Sequence, residues 1–113
     1  MKIVEAIIQP EQLDEVKKEL FKNEIRKMTV FQVKGCGQQM GYTESYKGYS
    51  HQVNLLPKIC IRIAVNQSFV KKTVNAIITG ARTGNIGDGK VFVYPLEECY
   101  RIRTGEEGSD AIG

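Results

Sequence analysis

Gly84-Asn85-Ile86-Gly87-Asp88-Gly89-Lys90-Val91-Phe92-Val93-Tyr94-Pro95 is the stretch on which the reading of this chain turns. Its closely spaced glycines permit backbone conformations closed to other residues and let consecutive N–H groups approach an anion. From Gly84 to Lys90 the spacing meets most of the phosphate-loop pattern G-x-x-x-x-G-K-[ST], which makes nucleotide phosphate the first ligand to consider. The pattern fails at Val91, where a magnesium-holding Ser or Thr would stand. It fails again because a β-rich apolar run follows in place of a phosphate-capping helix. What remains is a phosphate-cradling loop of another architecture or a plain glycine hairpin loop.

Working back from that loop, residues 67–79 carry Val70, Val74, Ile77 and Ile78 at helical spacing, with Gly80 near the expected end of the helix. Before it, residues 58–65 alternate as a strand. Ile59, Ile61, Ile63 and Val65 share one face, and Lys58, Cys60, Arg62 and Ala64 share the other. Residues 36–57 show no sustained periodicity and are interrupted by Gly37, Gly41 and Gly48. A connection longer than about 12–15 residues in a small domain is usually functional or mobile, so this loop is itself a sign of binding. A β-branched and aromatic strand is expected over 28–34, stopped by Gly35. The spacing of Leu13, Val16 and Leu20 predicts an amphipathic helix opened by Pro10 and ending near Asn23, its acids early and its lysines late. At the start of the chain, residues 2–8 have apolar side chains on both parities, which suits a strand covered on both faces.

Beyond the glycine loop, a strand is expected over 91–96 and a short one over 99–102, followed by a tail that frays through Gly105, Gly108 and Gly113. The order β-α-β-β-α-β predicts an α+β, ferredoxin-like sandwich with two helices on one face of an antiparallel sheet. The other face must be polar or hidden, and the apolar residues on both parities of the first strand point to burial by oligomerisation.

At 113 residues the chain makes one domain. Its 42% hydrophobic and 26% charged residues are those of a folded protein. A net charge of +3, with acids interspersed among the bases, argues against nucleic acid as a partner. No apolar run approaches the roughly 18 residues of a membrane span, and residues 1–5 begin no signal sequence, so a cytoplasmic protein is expected. Cys36, Cys60 and Cys99 are far apart, and His51 is the one histidine, which argues against a disulfide framework and structural zinc. No histidine-based dyad, paired carboxylates or base-flanked cysteine is apparent, so no enzyme is expected, with a small nucleotide hydrolase as the catalytic alternative.

Taken together, these residues resemble the PII signal-transduction (nitrogen regulatory) proteins, GlnB and GlnK among them. The resemblance rests on blocks in family order that include Tyr42-Thr43-Glu44, Leu56-Pro57-Lys58, Ala81-Arg82-Thr83-Gly84, the run from Gly87 to Pro95, and Ile102-Arg103-Thr104-Gly105-Glu106. It implies a trimeric sensor of nitrogen, carbon and energy state whose long loop, about 36–57, docks on target proteins. It also implies ATP or ADP between subunits, with Mg2+ and 2-oxoglutarate as further effectors. By that resemblance Gly87, Asp88, Gly89 and Lys90, in a nucleotide loop at about 82–90, hold phosphates, and Arg101 and Arg103 reach the same phosphates from the neighbouring chain. Alternate positions would put the two guanidiniums on one face of an extended segment, the tail being residues 102–113. Thr29 and Ala64 would line the adenine region, and Gly37 and Gln38 would lie at the base of the loop. Gln39 would offer an oxygen to Mg2+ and, with Lys58, bind 2-oxoglutarate.

Two departures stand out. Cys36 replaces the usual phenylalanine, and Gln38 replaces a frequent arginine, removing a charge-assisted contact to phosphate. At the loop tip His51 occupies the place of a modifiable tyrosine, with Tyr49 and Ser50 beside it, so that uridylylation is not carried over. The partners implied are an ammonium channel, which would be the route to any membrane association, or a nitrogen-metabolism enzyme. Lys47 is the cation nearest the channel-binding position. A regulator of nitrogenase, or a nucleotide sensor without a 2-oxoglutarate response, is the alternative.

Overall fold

In a computed structural model, residues 1–36 and 55–113 are described, together with the backbone pairing of two short strands in between. The elements are β1 (Lys2–Ile8), α1 (Leu13–Lys22), β2 (Thr29–Gly35), β3 (Ser45–Tyr46), β4 (Tyr49–Ser50), β5 (Leu56–Val65), α2 (Val70–Ala81), β6 (Gly89–Pro95) and α3 (Ser109–Ile112). A 3-10 turn leads into each long helix, at Pro10–Gln12 and Gln67–Phe69. The main sheet runs β2-β5-β1-β6, and every pairing in it is antiparallel. This is the ferredoxin-like arrangement that the order of elements predicts. β3 and β4 pair with each other, Ser45 opposite Ser50 and Tyr46 opposite Tyr49.

One face of the sheet carries the core. Val4, Ala6 and Ile8 of β1 and Ile59, Ile61, Ile63 and Val65 of β5 are buried against Val16 and Leu20 of α1 and Ala76, Ile77 and Ala81 of α2. The alternation read in β5 holds, since Arg62 and Ala64 of the opposite parity are exposed. Cys60 is the exception, buried on that second face. In β1 the second parity, Ile3, Glu5 and Ile7, is only half-buried, so among the described residues no helix covers that face.

Gly80 does not stop α2, as its position near the expected end suggests; it lies inside the helix, which runs on to Ala81. The reason is contact between the helices. A Cβ on Gly80 would sit 2.6 Å from the Val16 Cα, so only glycine lets α1 and α2 approach this closely. The buried stripe shifts accordingly to Thr73, Ala76, Ile77, Gly80 and Ala81, with Val70, Val74 and Ile78 partly buried at its margin. Thr73 is tolerated in the core because its hydroxyl donates to the Phe69 carbonyl at 2.7 Å, satisfying it within the helix.

Past Leu96, whose N–H donates to the Met1 carbonyl, the chain corrects two expectations. Residues 99–102 form no strand; a single bridge joins Tyr100 to Glu107. Nor does the tail fray. Arg101 N–H donates to the Glu106 carbonyl, Gly105 N–H to Arg101 and Gly108 N–H to Cys99, closing a tight hairpin that leads into α3. Its hydrogen bonds come from turn geometry and side chains, which leave no periodic trace in a sequence.

Candidate functional site

The loop from α2 to β6 is built around Asp88. One oxygen of its carboxylate accepts the N–H groups of Thr83 at 2.7 Å and Gly84 at 2.9 Å, and the other accepts the Thr83 hydroxyl. The Thr83 hydroxyl oxygen in turn accepts the Asn85 N–H at 3.2 Å. The Thr83 hydroxyl, followed by these backbone donors, holds the carboxyl below its usual range. Asp88 is therefore committed to the shape of the loop, and what it can offer a ligand is its backbone. Gly87 and Gly89 turn the chain at φ of +103° and +106°. At Gly89 a side chain is also sterically closed, because a Cβ would collide with the Ile7 carbonyl oxygen of β1. A cavity of about 370 Å³ opens where the loop meets α2 and β6, lined by Ile77, Ala81, Arg82, Asp88, Lys90 and Val91 among others.

Lys58 stands at the same end of the sheet. Its Nζ donates to Gln9 Oε1 at 3.2 Å and to the Gly87 carbonyl at 3.5 Å, which ties β5 to the glycine loop. Lys58 also lines a cavity of about 400 Å³ with Pro10, Gln32, Val33, Lys34, Pro57 and Ile59. By register Lys58 faces Val33 and Lys90 faces Ile7, which in turn faces Cys60. Two ammonium groups and a glycine-rich backbone thus share one end of the open sheet face, a setting suited to a multiply charged anion.

Thr29 and Ala64 lie on the same open face but toward its opposite end, Thr29 across from Arg62 and Ala64 across from Ile3. On the same face Glu5 accepts from Arg62 Nε and from the Tyr94 hydroxyl, both at 3.0 Å, and the Arg62 guanidinium lies 4.9 Å over the Phe31 ring. The Glu5 hydrogen bond raises the Arg62 pKa. Burial, with the Glu5 bond next, raises that of Tyr94.

Arg101 and Arg103 do not share a face of an extended segment, as alternate positions would require. The chain turns at 102–104, so Arg101 is at the base of the hairpin and Arg103 at its tip. Both lie beyond the end of β6 remote from Lys90, and a single chain does not bring them to the glycine loop. The sequence assigns no individual role to Gln9, Arg82 or Thr83, although the last two fall within the expected loop at about 82–90. Thr83 was within reach, as a hydroxyl before a glycine turn closed by an aspartate; Gln9 acquires its role only once β1 and β5 are paired.

A family model described as Nitrogen regulatory protein P-II matches residues 1–106. The chain belongs to the P-II family. Nitrogen regulatory protein P-II of Azospirillum brasilense is 51% identical over 112 residues, covering 99% of this chain and 100% of its own length. Nitrogen regulatory protein GlnK1 of Methanosarcina mazei is 52% identical over 114 residues, covering 99% of this chain and 97% of its own. Among solved structures, Arabidopsis thaliana PII bound to citrate superposes with a TM-score of 0.80 at 37% identity, covering 98% of this chain and 88% of that one.

Within the P-II chain, Gly37, Gln38, Gln39, Lys47 and His51 lie outside the described residues, and Tyr49 and Ser50 contribute only their backbone pairing. Cys36 is described and exposed. Among the described residues no three His, Cys, Asp or Glu side chains gather to hold a metal ion. No helix among the described residues is long and apolar enough to cross a membrane.

Proposed function

We propose that this P-II family member is a non-enzymatic nitrogen, carbon and energy sensor. In this reading it is a trimer that takes ATP or ADP at Gly87, Asp88, Gly89 and Lys90, with 2-oxoglutarate and Mg2+ near Lys58 and Gln39. The observation that carries it is the convergence of Lys58, Lys90 and the locked glycine loop on one end of the open sheet face. Phosphate oxygens suit the loop N–H groups and Lys90, and a carboxylate suits Lys58. Citrate in the Arabidopsis relative, a polycarboxylate, is in keeping with a scaffold that accepts carboxylate anions. Arg101, Arg103, Thr29 and Ala64 complete the nucleotide site from a neighbouring subunit, since one chain holds them far from Lys90. Effector occupancy then sets the conformation of loop 36–57, through which a target such as an ammonium channel or a nitrogen-metabolism enzyme is engaged. Ligand and target are coupled in the amount by which each prefers one loop state.

Calorimetry tests this. Lys90→Ala should weaken ATP binding by about 1.5–3 kcal/mol, the range for hydrogen bonds to charged groups. Lys58→Ala should remove the binding of 2-oxoglutarate seen with saturating ATP and Mg2+ while keeping most nucleotide affinity. Unchanged ATP affinity in Lys90→Ala would refute the phosphate site. Absence of any 2-oxoglutarate heat in the unaltered protein would reduce the function to a nucleotide sensor, with Gln38 and Cys36 as the first causes to examine.

A further inference from the structure

The tail is held down by the arginine that the proposed nucleotide site needs. Arg101 Nη2 donates to the backbone oxygens of Asp110, Ala111 and Gly113 at 3.3, 3.4 and 2.7 Å, while its Nη1 pairs with Glu106 Oε1 at 2.8 Å. A guanidinium seated on the last carbonyls of a short helix is a C-terminal cap supplied from outside the helix. Three further contacts dock the same segment. Lys27 Nζ donates to the Gly113 oxygen at 2.8 Å, Asn66 Nδ2 donates to the Ser109 carbonyl at 3.2 Å, and Ile112 lines a cavity of about 300 Å³ with Ile25, Ile63, Val65 and Phe69. Segment 109–113 is thus bound at a defined place, next to Ala64, which lines the same cavity.

We propose that segment 109–113 is an internal latch that competes with nucleotide phosphate for Arg101. The tail undocks when ATP binds, and the latch lowers the nucleotide affinity of the intact chain. This rests on the reading above, in which Arg101 meets the phosphates held by the neighbouring subunit. The competition is chemically even-handed only in geometry. Backbone oxygens of the tail and one partly exposed carboxylate hold the guanidinium, whereas a polyphosphate offers it several anionic oxygens in bidentate reach. A latch of this kind can be opened by the ligand without abolishing binding. Coupling is reciprocal, so whatever fastens the tail must expel nucleotide by the same factor.

The test is ATP affinity in the presence of Mg2+, measured by calorimetry on the full chain, on a chain ending after Gly108, and on Asn66→Ala. Asn66→Ala loosens the tail without touching Arg101. Both changes should tighten ATP binding, the truncation by about three- to tenfold, the range for a few partly exposed charge-assisted bonds. In an Arg101→Ala background the truncation should add nothing. Backbone amides of 109–113 should exchange faster once ATP is bound to the intact chain. Equal ATP affinity with and without the tail overturns the latch and leaves the nucleotide reading standing. A gain that persists in Arg101→Ala overturns it also, because the tail would then act by another route. Failure of both the intact and shortened chains to bind ATP overturns the latch together with the reading on which it rests.

Discussion

Asp88 illustrates how one side chain sets the shape of a loop. Its carboxylate gathers the Thr83 hydroxyl and the Thr83 and Gly84 N–H groups, and these donors favour the charged form. The sign of the pH effect follows. A carboxyl whose folded pKa is depressed contributes stability above its unfolded pKa, about 3.9 for aspartate, and loses that contribution as pH falls through the lower folded value. Protection of the Thr83 and Gly84 amides should therefore hold from neutral pH down to about pH 4 and decay below it. The same loss should be present at all pH values in Asp88→Asn, which keeps an acceptor but no charge. Hydrogen exchange followed by NMR across that range checks this. Protection that is identical at pH 3 and pH 7, or unaltered in Asp88→Asn, would show that the glycines alone set the loop.

Gly80 shows where an element's packing overrides its local signals. A glycine after a helical stripe reads as a stop, yet this one is buried in the seam between α1 and α2, where a Cβ would lie 2.6 Å from the Val16 Cα and 2.7 Å from its nitrogen. Those are backbone atoms that cannot swing aside. Gly80→Ala should consequently destabilise the fold by about 1–3 kcal/mol through overpacking, although alanine is the better helix former. Asn75→Ala on the exposed side of α2 should stay within about 0.5 kcal/mol. Denaturant melts of the two variants separate these outcomes, and a stabilised Gly80→Ala would mean that α1 yields. The contrast also marks what sequence reading can reach. Alternation in β5 and the stripe of α1 are set by burial against one layer, and both are legible as periodicity. The extent of α2, the hairpin at 99–108 and the cap on α3 depend on partners distant in sequence or on turn hydrogen bonds. In the site, Lys90 and the glycines announce themselves by pattern, whereas Lys58 meets Gly87 only through the pairing of β5 with β1 and of β1 with β6.

For the molecule as a whole, the open sheet face is the feature that asks for a partner. Phe31, Phe92 and Tyr94 stand on it with 37%, 47% and 39% of their surfaces exposed, beside the half-buried Ile3 and Ile7. The Glu5, Arg62 and Tyr94 cluster at its centre satisfies its own charges, so burial of the face would not strand an unpaired ion. Lys90 sits at one end of the chain's sheet and Arg101 with Arg103 follow the other in sequence, an arrangement that the proposed trimer would complete by burying these faces together in a ring. Solution mass should accordingly be three times 12.7 kDa at low micromolar concentration. A charge on the face should break the ring while sparing the subunit, because Phe92 is already half exposed within one chain and its loss removes little of the subunit's own core. Phe92→Glu is thus expected to yield folded monomers with unchanged circular dichroism and greatly weakened ATP binding. Phe21→Glu is the matched control: at 46% it is as exposed as Phe92, but it lies on α1, on the far side of the core. It should leave the assembly intact. A monomeric unaltered protein, or Phe92→Glu and Phe21→Glu that behave alike, would remove the shared face and with it the site that needs two chains.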